Sequence, residues 1–238
     1  MSPETRRLRG ALALALRVQS RARFPHVYLG VAVALAALLR LAAVEWRELL
    51  LPVLLLGEPG TLGLYLVAAH RYYERNSGMD VALRVTPLPR ATVVAAPVLT
   101  TACLGTLAGL TIQALVLGVD ARLVWLAPPL FGLVVFSGLV GFALAERFAE
   151  FTRFLLGSVL PNLVLSLPFT TALGWIPPLW LVWLPSQWAV SAFVEVTRGE
   201  PDPALWAACC AGLAAANAAA MLVAMGAERS AAEAVSPA

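Results

Sequence analysis

Long apolar runs and short polar interruptions follow one another along the whole chain, on the scale of complete helices. A helix needs about 20 mainly apolar residues to cross ~30 Å of hydrocarbon. Runs of this kind near 26–44, 92–118, 123–145, 154–174 and 203–226 each predict a membrane span. A further span runs from the Gly57-Glu-Pro-Gly60 break to about Tyr73, and 45–56 reads as a short, partly apolar outer connection before it. Residues 5–23 differ in pattern. At about 100° per residue, five of the six arginines Arg6, Arg7, Arg9, Arg17, Arg21 and Arg23 fall in an arc of about 160°. Leu8, Ala11, Leu12, Ala15, Leu16, Val18 and Ala22 fill the other side. That is the pattern of an interfacial amphipathic helix with its arginines toward lipid headgroups. Two more polar stretches follow: a charged hairpin at 74–90 and an inner connection at 145–153.

Residues 175–201 are the irregular piece. Trp175, Trp180, Trp183 and Trp188 crowd together around Pro177-Pro178 and Pro185 in an apolar run too short to span. Tryptophan favours the membrane interface, so the segment reads as outer-face helices that dip partway in. The expected fold is therefore an all-α polytopic membrane protein with six spans. It forms a single transmembrane domain over 1–238: the amphipathic helix at 5–23, a bundle over 26–226 and a short tail from 227 to 238.

Composition agrees and narrows the chemistry. The 238 residues are 60% hydrophobic and 13% charged, against roughly 25% charged in a soluble domain. All 17 basic residues are arginine. Without lysine the chain cannot form a phosphate-binding Gly-x-x-x-x-Gly-Lys-Ser/Thr loop, so ATP-driven work needs another subunit. Arginine placement predicts orientation. Six lie in the first segment, four at 71–90, two at 145–153 and one in the tail, against Arg40, Arg47, Arg122 and Arg198 on the other side. The positive-inside rule then puts both termini and the charged hairpin in the cytoplasm of a cell-membrane protein. The Arg-rich start lacks a small-residue cleavage site, which predicts no cleavable signal peptide.

Little inside the spans looks catalytic. Cys103, Cys209 and Cys210 lie in apolar runs and read as small packing residues, not metal or redox groups. His26 and His70 fall at cytoplasmic ends of spans and read as interfacial polar tips. Glu58 is the one acidic residue near a span, and beside Pro59 it reads as a helix-start residue favoured by free N–H groups. Gln113, Asn162, Ser166, Thr170, Thr171 and Asn217 are the uncharged polar residues within spans. Gln113, Asn162 and Ser166 are candidates to line a pathway, and hydrogen bonding to neighbouring helices is the alternative. No metal site, nucleic-acid site or enzymatic centre is expected.

The hairpin carries the functional reading. Span 2 ends in charge, a helix of one or two turns follows, and Pro87 and Pro89 stop it. Glu74-Arg75-x-x-Gly78, followed by Leu83-x-Val85-Thr86-Pro87-Leu88, resembles the cytoplasmic coupling segment of type-2 ATP-binding-cassette (ABC) transporter permeases. The resemblance extends over nearly the whole chain. The Arg-rich start resembles that family's elbow helix, and the Trp-rich piece resembles its outer re-entrant helices. The compact size and Glu58-Pro-Gly-Thr-Leu-Gly63 look most like actinobacterial drug-export permeases of the fluoroquinolone-export type. Asn76-Ser77 departs from the usual charged pair after Glu-Arg, which bears on how a motor docks.

This resemblance implies a permease subunit, not itself an enzyme, that exports an amphiphilic or hydrophobic substrate. It implies separate ATPase subunits that hold the ATP and Mg, a second permease copy or a related chain, and surrounding lipid. The segment Glu74, Arg75, Gly78, Met79, Leu83, Thr86, Pro87 and Leu88 would couple motor to bilayer. Trp180, Trp183 and Trp188 would belong to the re-entrant helices. Two other classes fit the composition: a proton-coupled secondary transporter that uses Glu58, and a membrane assembly protein with no flux.

Overall fold

A computed structural model describes residues 3–79, 86, 88–199 and 201–235. Among these residues the protein is helical throughout. The elements are α1 (Pro3–Arg21), α2 (Phe24–Leu41), α3 (Val44–Asn76), α4 (Arg90–Leu117) and α5 (Arg122–Arg147). They continue with α6 (Phe151–Ser166), a single turn α7 (Phe169–Ala172), a 3-10 turn (Pro178–Leu181), α8 (Pro185–Arg198) and α9 (Pro203–Val235). Six helical stretches are long and apolar enough to cross a membrane: α2, α3, α4, α5, α6 with α7, and α9. The chain is a multi-pass membrane protein. Apolar side chains on α6 and α9 point outward, including Leu156, Leu160 and Leu222, as lipid contact requires.

Local chemistry sets the helix boundaries. Arg23 takes a left-handed conformation (φ 59) between α1 and α2, and Pro25 opens α2. Gly118 (φ 104) and Gly199 (φ 96) close α4 and α8, donating to Ala114 O and Val196 O. Asp120 Oδ1 accepts from Arg122 N at 2.9 Å, and Asp202 Oδ1 accepts from Ala204 N at 2.9 Å. Each thereby satisfies a free donor at a helix start.

α5 is the centre of the bundle and packs most heavily on α3, α9 and α4. Glycines make that closeness possible. An added Cβ at Gly63 would sit 2.9 Å from Val134, and one at Gly109 would sit 2.9 Å from Leu130. One at Gly141 would collide with the Leu64 carbonyl. Small residues of this kind let membrane helices approach backbone to backbone. α1 packs on α4 through Ala15, Val18 and Gln19, while its arginines stay exposed. Gln19 Nε2 donates to Thr100 Oγ1 (2.8 Å) and Thr101 Oγ1 (2.9 Å). Gln19 is the polar residue in the middle of the apolar stripe; α4 satisfies its amide nitrogen, while its Oε1 has no partner among the described residues.

The structure corrects the expected second span. Residues 45–56 are not an outer connection, and Gly57-Glu-Pro-Gly60 does not break the chain. All lie within α3, an unbroken helix of 33 residues with Pro52 and Pro59 inside it. Proline removes a backbone donor, but in a packed bundle neighbouring helices stabilise the altered turn. Here Tyr28 Oη donates to Pro59 O at 3.3 Å, and Gly60 faces Leu133 of α5. At 1.5 Å per residue α3 is about 50 Å long, so both ends project beyond the hydrocarbon. Two smaller differences follow the same logic. The fifth span stops at Ser166 and resumes as α7 after Pro168, and α9 runs past 226 to Val235.

α8 lies against α9, α5 and α3. Its start, Pro185, adjoins Phe136 and Ala216, halfway along α5 and α9. Its end lies at the start of α5, where Arg122 Nη1 donates to Thr197 O at 3.1 Å. Fourteen residues cover about 21 Å, roughly half of α5. Trp188 packs on Gly212, whose added Cβ would sit 2.6 Å from the ring. Trp180 and Trp183 are exposed. At the same end of the molecule Trp125 and Trp206 meet edge to face at 5.1 Å, and Trp206 Nε1 donates to Trp125 O at 2.8 Å.

Candidate functional site

The last two turns of α3 carry His70, Arg71, Tyr72, Glu74 and Arg75, which face the end of α5 where Glu146 sits. Residues three and four apart share a helix face, so His70, Arg71 and Glu74 meet on one side. His70 Nε2 lies 3.2 Å from Glu74 Oε1, and Arg71 Nη1 donates to Glu74 Oε2 at 3.1 Å. Arg71 Nε reaches across to Glu146 Oε1 at 2.5 Å, and Arg75 Nη2 reaches Glu146 Oε2 at 2.6 Å. The two oxygens of Glu146 are therefore held by two guanidinium groups from another helix.

Burial makes the cluster costly to disturb. The side chains of His70, Arg71, Glu74 and Glu146 are 1%, 2%, 7% and 1% exposed. Arg71 also lies over the Phe142 ring, 5.7 Å from its centroid. Removing one member of a buried ion pair leaves an uncompensated charge, at about 3–5 kcal/mol. The backbone at the end of α5 is tied down as well. Arg75 Nη1 donates to Ala145 O (2.8 Å) and Phe148 O (3.2 Å), and Tyr72 Oη donates to Phe148 O (2.8 Å). Tyr72 stacks edgewise on Phe151 of α6 at 5.4 Å. Three helix ends are joined here by charge, hydrogen bonds and rings.

α3 then ends in a glycine turn. Ser77 N donates to Tyr73 O at 3.0 Å, and Gly78 takes φ 71 and donates to Arg75 O at 3.1 Å. Only glycine adopts that conformation without strain. Met79 is half-buried beyond it. Leu83 and Pro87, with the centre of the expected coupling helix, lie outside the described residues. Thr86 is exposed and its carbonyl accepts from Leu88 N at 2.8 Å. Leu88 is half-buried beside Ala11 and Ala15 of α1 and near Glu74. The segment thus departs from the ion cluster and returns against α1.

No family model matches this chain, and no curated protein matches it. Function has to be argued from the site itself.

The structure brings together Glu74 and Arg75, and adds three partners that the sequence reading passed over. His70 is no interfacial tip: it is buried at the cluster, because it sits one turn before Glu74 on the face toward α5. Arg71 and Glu146 read as connection charges, yet they form the cross-helix pair. The available signal was the spacing of His70, Arg71, Glu74 and Arg75 on one helix face, with an unmatched Glu146 next in the chain's inner connections.

The proposed pathway residues separate. Asn162 Oδ1 accepts from Thr61 Oγ1 at 3.4 Å, and Ser166 Oγ donates to Asn162 O at 2.8 Å, within a small cleft shared with Ser137. Gln113 does not line that cleft. It is fully buried in α4, and neither side-chain polar atom has a partner among the described residues. Glu58 differs from its expected position too. It lies in the interior of α3 instead of at a helix start, so no free N–H groups face it. It is 7% exposed, and neither carboxylate oxygen has a hydrogen-bond partner among the described residues. No three His, Cys, Asp or Glu side chains among the described residues gather as a metal site would require.

Proposed function

We propose that this chain is the membrane-spanning permease subunit of an ATP-driven exporter of the type-2 ABC class, moving an amphiphilic or hydrophobic, drug-like substrate out of the cell. The observation that carries this reading is the buried ion cluster of Arg71, Glu74, Arg75 and Glu146. It locks the end of α3 to the end of α5 immediately before the Gly78 turn. A soluble motor that pushes on 77–89 needs such a joint, since a frayed helix end would absorb the push. Glu74 and Arg75 face into the joint, so in this reading they transmit force, while the segment after Gly78 meets the ATPase.

The remaining assignments follow. Both termini and the 77–89 segment are cytoplasmic. α1 is the elbow helix, its arginines on the headgroups. α8 with the Trp180–Trp183 turn is the outer re-entrant pair. A second permease copy or related chain completes the transport unit, and two partner ATPase domains bind ATP and Mg. The test is a mild-detergent pull-down of the tagged chain. Co-purification of an ATPase carrying a phosphate-binding loop, lost when 77–88 becomes a Gly/Ser linker, is the expected result. Glu74→Ala and Gly78→Pro should leave the chain inserted and uncouple ATP hydrolysis from transport. Recovery of the chain alone, with no ATPase, counts against the assignment.

One observation favours a second reading. A buried carboxylate without a partner is expensive and marks ion or proton pathways in membrane proteins. Glu58 fits that description, and a proton-coupled secondary transporter would use it. Under that reading Glu58→Gln abolishes transport that follows the proton gradient. Under the exporter reading, transport survives the substitution.

A further inference from the structure

A trough runs between α5 and α9 on the outside of the bundle. Phe136, Val140 and Ala143 line one wall, and Ala216, Ala219 and Val223 line the other. Its volume is about 440 Å³, within the range of roughly 300–1,000 Å³ typical of small-molecule sites. Pro185, at the start of α8, closes it halfway along the two helices, and Arg147 stands at its other end. From Phe136 to Arg147 is 11 helical steps, about 16 Å. That is about half of the ~30 Å hydrocarbon thickness, the depth of one leaflet.

The charge at the mouth is unbalanced. Glu146, the neighbouring acid, is taken by Arg71 and Arg75, and Glu150 lies 3.4 Å from Arg153. Arg147 is exposed and has no ion pair or hydrogen bond among the described residues. An apolar slot one leaflet deep, with a cation unpaired among the described residues at headgroup level, fits one class of occupant. We propose that the α5–α9 trough binds an anionic phospholipid of the Arg147-side leaflet, one acyl chain in the slot and the phosphate on Arg147. Arginine suits that contact because its planar fork matches phosphate oxygens two at a time. Pro185 would stop the chain at the bilayer midplane, so the start of α8 senses whether the slot is filled. This site depends on membrane placement alone and not on any motor partner.

Native mass spectrometry of the full chain in detergent tests it, with phosphatidylglycerol and phosphatidylcholine of identical acyl chains. The expected result is one phosphatidylglycerol retained about five-fold more strongly than phosphatidylcholine, the gain typical of one basic residue at an anionic surface. Arg147→Gln should abolish that preference, and Arg147→Lys should keep most of it. Ala219→Phe, whose position is exposed in the trough, should reduce retention of both lipids. Size-exclusion profiles and helical circular dichroism like those of the wild type establish that the variants are folded. Equal retention of the two lipids by the wild-type chain overturns the proposal. So does a preference that survives Arg147→Gln. Efficient disulfide crosslinking of two copies through Ala219→Cys in native membranes also overturns it, because a second chain would then occupy the trough.

Discussion

Glu146 shows how much one side chain can hold in this protein. Its carboxylate accepts from Arg71 and Arg75 with almost no contact with solvent. Glu146→Gln removes the charge and keeps the shape, so Arg71 is left with Glu74 as its remaining acidic partner among the contacts described above. The expected loss is about 3–5 kcal/mol, the usual cost of breaking a buried ion pair by removing one partner. It should appear as a clear fall in the unfolding midpoint in detergent. An unchanged midpoint would mean that water reaches the cluster. Glu58 predicts the opposite sign. Its two oxygens have no hydrogen-bond partner among the described residues, and an unsatisfied buried polar group costs about 1–3 kcal/mol. Glu58→Leu should therefore stabilise the folded chain by a similar amount in the same assay. Destabilisation would reveal a bound ion or water that pairs with Glu58 in the membrane.

Among the elements, the α3–α5 contact depends on glycine. A Cβ at position 141 meets the Leu64 carbonyl, which is backbone and cannot rotate away. Gly141→Ala should separate the helices and cost about 1–3 kcal/mol or more. Gly30→Ala in α2, where nothing lies within 4 Å, should change stability by no more than about 1 kcal/mol. Comparing the two unfolding midpoints separates packing from helix propensity. This contact also explains where the sequence could and could not be read. Apolar run length was enough to find six crossings, because the bilayer sets a minimum length that composition reveals directly. The Arg-rich face of α1 was legible because its arginines and apolar residues segregate at helical periodicity, and those arginines are exposed. The continuity of α3 was not. Pro52, Pro59 and the nearby glycines look like helix breakers when only local hydrogen bonds are considered. Their effect is reversed by α5 and Tyr28, which are distant in sequence. Glu58 was misplaced by the same error, and the pairing of Arg71 with Glu146 spans 75 positions.

For the whole molecule, α4 carries the chain from the ion-cluster end to the Trp125–Trp206 end. Ser77 and Val119 are exposed near the two ends. In a chain whose Cys103, Cys209 and Cys210 are replaced by alanine, Ser77→Cys and Val119→Cys should react with a membrane-impermeant maleimide from opposite sides of sealed vesicles. Labelling of both from one side would show that α4 does not cross the bilayer.

The unbroken run of α3 has a mechanical consequence. A pivot at Leu64, whose carbonyl leaves no room for a Cβ at Gly141, would leave 12 residues toward Asn76 and 20 toward Val44. The arms are about 18 Å and 30 Å. A tilt that displaces the ion-cluster end by a given distance swings the Trp46 end the other way, roughly 1.7 times as far. A small displacement beside Gly78 would become a larger one at the Trp46 end.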